Sequence, residues 1–170
     1  INIAVKLIKK AIDFKPDYAE AHSNLGLALQ DNGKSKEAMA SYHKALALQP
    51  HFYEAIYNLG NAYKDQGLLS EAAASYQKAL DIKPDYAKAH SNLGVALKEL
   101  GESKKAMSHF ERAIQIDPNH VNAYIGVGMI LTELNYIFKA KKCYEKALNL
   151  DPNRKETYEI RTKVRPRQRS

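Results

Sequence analysis

AEAHSNLGLALQDNGKSKEAMASYHKALALQP at 19–50 and AKAHSNLGVALKELGESKKAMSHFERAIQIDP at 87–118 are two copies of one pattern. The true period is half the distance between them, because Pro16, Pro50, Pro84, Pro118 and Pro152 follow one another at intervals of 34 residues. A fixed period of that length marks a chain built by stacking one supersecondary unit. Four blocks begin at Ala19, Tyr53, Ala87 and Val121, and chemistry recurs within them at fixed offsets. Position eight is Gly26, Gly60, Gly94 and Gly128; position twenty is Ala38, Ala72, Ala106 and Ala140; position twenty-seven is Ala45, Ala79, Ala113 and Ala147. Between the alanines stand the rings of Tyr42, Tyr76, Phe110 and Tyr144.

Apolar residues at positions four, seven and eleven, as in Ile56, Leu59 and Tyr63, share one face of a first helix. Gly33, Gly67 and Gly101 are expected to end it by adopting positive φ, and Asn135 can do the same in the last block. A second helix carries its own stripe at positions twenty, twenty-four and twenty-seven and stops before the proline, which disfavours α geometry in the preceding residue. Asp17 and Asp85 are expected to cap the helices that follow them. The fold class is all-α, an α-solenoid of stacked antiparallel helix pairs, in which small residues on both helices let the backbones approach and one aromatic fills the gap.

These blocks resemble tetratricopeptide repeats, most clearly in A-x-A-H-S-N-L-G-x-A-L at 19–29 and 87–97. The expected division is a second helix of a partial repeat at 1–18, repeats at 19–52, 53–86, 87–120 and 121–154, a terminal or partial first helix at 155–164 and a basic tail at 165–170. The half-units at the ends leave apolar residues such as Ile3, Leu7, Ile8 and Ile12 short of partners, which favours self-association.

The chain has 170 residues, 45% of them hydrophobic, enough for a packed core. It contains no apolar run of the ~18 residues that cross a bilayer and no leader pattern at Ile1, so no membrane partner is expected and the segment reads as cut from a longer protein. One cysteine, Cys143, excludes an internal disulfide and a thiolate cluster and suits a reducing, cytoplasmic location. Of the net charge of +7, residues 154–170 supply +5 (seven Lys or Arg against Glu156 and Glu159), so nucleic-acid contact is limited to the tail. The histidines show no metal-binding spacing, Ser23 and Ser91 cannot face the histidines beside them on a helix, and neither a catalytic group nor a cofactor is expected.

The resemblance implies that first helices line a concave groove, with positions two, five, six, nine, twelve and thirteen facing it. Position six is Asn24, Asn58 and Asn92, and primary amides can pair with the backbone of an extended peptide. Packed helices set the rungs about 10 Å apart, and none of the three is expected to be a packing residue. Selectivity is assigned to Glu20, Glu54, Tyr57, Lys64, Lys88 and Lys98. The carboxylate clamp of chaperone-binding relatives is absent, since only Lys88 with Asn92 matches it. The wording A-H-S-N-L-G and the Asn ladder are also similar to the repeats of O-linked N-acetylglucosamine transferases. The resemblance therefore implies a protein or peptide-binding scaffold, or the substrate-recruiting arm of a larger enzyme such as a glycosyltransferase.

Overall fold

A computed structural model describes residues 3–153. Within them lie α1 (Ile3–Phe14), α2 (Ala19–Asp31), α3 (Ser35–Leu48), α4 (Tyr53–Asp65), α5 (Leu69–Ile82), α6 (Ala87–Glu99), α7 (Ser103–Ile116), α8 (Val121–Glu133) and α9 (Ile137–Leu150). No strand occurs among the described residues. The expected helix at 155–164 and the tail at 165–170 lie outside them.

The chain forms two compact units, Ile1–Pro84 and Asp85–Ser170. In the first, α2 pairs with α3 and α4 with α5, α1 packs on α2, α3 packs on α4, and α2 touches α4. In the second, α6 pairs with α7 and α8 with α9, while α7 packs on α8 and α6 touches α8. Turns of three residues inside each pair leave only an antiparallel arrangement.

Each pair is locked by a ring against a glycine. A Cβ placed on Gly26, Gly60, Gly94 or Gly128 would lie 2.5, 2.7, 2.8 or 2.4 Å, respectively, from an atom of Tyr42, Tyr76, Phe110 or Tyr144, with Gly128's 2.4 Å contact falling on Tyr144. Glycine is thus required sterically, because the ring occupies the space a side chain would fill. The alanines at positions twenty and twenty-seven are fully buried in all four repeats.

The first helices end as expected, Gly33, Gly67 and Gly101 having φ of 73°, 74° and 82° and Asn135 of 62°. Both bonds of a Schellman closure form each time; in the first, Gly33 N–H donates to Gln30 O and Lys34 N–H to Leu29 O. The N-termini correct the expectation. The caps are Tyr18 and Tyr86, neither making a side-chain capping hydrogen bond, because Asp17 and Asp85 sit one residue earlier in the turn that the proline opens. On α1, Ile3 and Leu7 are exposed as expected, whereas Ile8 and Ile12 pack with Val5 against the core of the first unit.

Candidate peptide-binding face

Each first helix presents its outward positions beside those of its neighbour in the same unit. On α2, Glu20 and Asn24 are exposed; on α4, Glu54, Tyr57, Asn58 and Lys64 are half-buried. On α6, Lys88 is exposed while Asn92 and Lys98 are half-buried. The packing of α2 on α4 brings Asn24 and Asn58 onto neighbouring helices at one repeat position.

Several expected groove positions are instead used between repeats. Position five is buried in two repeats, at Ser23 and Ser91, because neighbouring first helices close over it. The Ser91 hydroxyl oxygen, fully enclosed, has no hydrogen-bond partner among the described residues. Positions twelve and thirteen tie successive repeats together: Gln30 on α2 donates to Asp65 on α4 at 2.5 Å, and Lys98 on α6 meets Glu133 on α8 at 2.7 Å. The Lys98 side chain is only 18% exposed, so much of its charge is committed to that pair. A spacing of 35 residues, one more than the period, is the sequence signal for these links.

Position six also touches the packing. Asn58 and Asn92 are half-buried, and in the fourth repeat a Cβ on Gly126 would lie 2.4 Å from the tip of the Phe110 ring on α7. The ladder stops at the third rung because Phe110 fills the space of a fourth. Tyr57, expected as a selectivity residue, lies 5.7 Å from the Tyr76 ring, and burial pushes its hydroxyl pKa up.

His22, His90 and His109 are packing groups of two kinds, while His43 and His51 are exposed. His22 is buried and its Nε2 hydrogen bonds to the Pro16 carbonyl at 2.8 Å. His90 and His109 meet across α6 and α7 with their Nδ1 atoms 3.0 Å apart. Burial, and then the neighbouring His90, lowers the His109 pKa. No group of three or more metal-ligating side chains occurs among the described residues. The Cys143 thiol is pushed up by burial, away from a reactive thiolate, despite Lys141 and Lys142 beside it.

Helix pairs interlocked by glycine and an aromatic, repeated every 34 residues, define a helical-repeat protein. The TPR repeat profile matches residues 2–33 and 60–101, and tetratricopeptide repeat profiles match 19–52, 87–120 and 121–154. The chain belongs to the tetratricopeptide repeat family. No curated protein matches it. Among solved structures it is similar to MamA, at 28% identity and a TM-score of 0.76 over 94% of this chain and 89% of that one. It is similar to YrrB, described as a TPR protein with an unusual peptide-binding site, at 25% identity and a TM-score of 0.78 over 95% and 83%. PilF of Pseudomonas aeruginosa, at 20% identity, shares the fold with a TM-score of 0.84 over 92% and 72%.

Proposed function

We propose that this protein is a non-catalytic scaffold whose first helices hold an extended segment of a partner protein. The observation that carries this reading is the placement of Asn24 and Asn58 at one repeat position on two helices packed side by side. A primary amide offers two donors and an acceptor, which suits the alternating N–H and C=O groups of an extended backbone. Asn92 repeats the position in the second unit. Backbone capture alone is tolerant of sequence, so selectivity falls to the charges alongside. Glu20 and Glu54 flank the amides of the first unit and favour cationic side chains, whereas Lys88 stands one turn before Asn92 and favours an anionic one. The described peptide-binding site of YrrB supports the class of ligand.

Peptides selected on the chain from a displayed random library supply the probe. Asn24→Ala together with Asn58→Ala removes two side chains whose hydrogen bonds contribute about 0.5–1.5 kcal/mol each. The double variant is expected to bind a selected peptide about tenfold more weakly by fluorescence anisotropy, with its helicity retained. Unchanged affinity would overturn the reading.

A further inference from the structure

One turn differs in kind from the other three. Between α8 and α9, positions fourteen, sixteen and eighteen are Leu134, Tyr136 and Phe138, where the other repeats carry Asn32, Lys34 and Lys36; Gln66, Leu68 and Ser70; or Leu100, Glu102 and Lys104. The three side chains are exposed by 57%, 57% and 71%. No residue at those positions in any other repeat is buried, so this exposure is a property of the position and not of a missing neighbour. Positions nineteen and twenty-two change as well. They are Lys139 and Lys142 here, against Glu37 and Ala40, Glu71 and Ala74, or Lys105 and Ser108.

The two changes are joined physically. Lys139 Nζ lies 5.6 Å from the centre of the Tyr136 ring and Lys142 Nζ 4.8 Å from that of Phe138. Lys146 adds an exposed cation further along α9, and Lys141 is partly offset by Glu145 at 3.8 Å. Apolar groups stand at the tip of the turn, with cations behind them on the helix.

We infer that the turn from Leu134 to Phe138, with Lys139 and Lys142, is a docking surface for a membrane bearing anionic lipid. The order of groups matches that interface, in which aromatic and aliphatic side chains enter the acyl boundary while lysine stems reach back to the phosphates. An acidic protein would satisfy the lysines equally, but three protruding apolar side chains would then require a matching cavity on the partner. A bilayer needs none. No helix among the described residues is long and apolar enough to cross a membrane, so the contact is peripheral.

Sedimentation with vesicles tests the surface, using phosphatidylcholine alone and with about one-third phosphatidylserine, at about 0.15 M salt. Leu134→Gln with Phe138→Ser places second-repeat residues in the turn without changing charge, and Lys139→Glu with Lys142→Ala does the same for the cations. The parent is expected to bind the anionic vesicles only, and each double variant to bind at least tenfold more weakly with an unchanged melting temperature. Equal binding by parent and Leu134→Gln/Phe138→Ser would overturn the inference by assigning attraction to charge alone. So would absence of vesicle binding alongside lysine-dependent binding of polyglutamate, which would identify an acidic protein surface as the partner.

Discussion

Three of the four buried rings carry a hydroxyl, and each hydroxyl meets a polar group on its own first helix. Tyr42 donates to Gln30 at 3.0 Å and Tyr76 to Asn61 at 2.8 Å. Thr132 Oγ1, which donates to Gly128 O, lies 3.1 Å from the Tyr144 hydroxyl and can accept from it. In the third repeat the equivalent positions are Val95, without an acceptor, and Lys98, a donor already paired with Glu133, and the ring there is Phe110. A hydroxyl at this site would be buried with no acceptor for its proton at either position. Phe110→Tyr is therefore expected to destabilise the protein by about 1–3 kcal/mol, measured by urea unfolding. Adding Val95→Asn, which copies Asn61, should recover part of the loss; no loss in the single variant would contradict the assignment. The sequence displays the lone phenylalanine, but its reason depends on which first-helix atoms a ring tip reaches, and no period reports that.

Glycines that look alike along the chain act at two different levels of the helix pair. Gly60 is needed for space, because a Cβ would meet Tyr76 at 2.7 Å, whereas at Gly67 nothing lies within 4 Å and only the φ of +74° excludes other residues. Gly67→Ala should cost about 1–2 kcal/mol through the left-handed backbone. Gly60→Ala should cost about 1–3 kcal/mol or more through overpacking. Adding Tyr76→Ala to each in a double-mutant cycle by thermal melting separates them, since only Gly60→Ala should couple to the ring; coupling at Gly67 would refute the distinction. The α6–α7 contact adds a pH dependence. Burial holds the His109 pKa below its ordinary ~6.5, so the unfolded chain binds more protons and stability falls as pH drops below that value. His109→Ser, the residue of the first two repeats, should flatten the fall in melting temperature between about pH 7 and 5 relative to the parent; an unchanged slope would count against this role of the buried His109. The helix stops were legible because glycine and proline act within a few residues of themselves. Asp17 and Asp85 misled because a one-residue displacement turns a cap into the residue before it.

At the scale of the whole molecule, the helix-pair architecture was readable because each repeat contacts chiefly its neighbours, so local spacing fixes most of the packing. The binding face was less readable. Whether an outward position meets solvent or the adjoining first helix depends on contacts between residues about 34 apart, as Ser91 and Lys98 show by being enclosed and paired. Asn24 remains exposed, and Asn58 and Asn92 keep part of their surface, which leaves the amides as the repeated polar feature on this side of the first three pairs. The most direct test is amide NMR on the isotopically labelled chain titrated with a library-selected peptide. Our account predicts that the shifted resonances cluster on the first helices, α2 and α4 around Asn24 and Asn58 and α6 around Asn92. Shifts confined to the second helices α3, α5, α7 and α9, with the first helices unmoved, would contradict it.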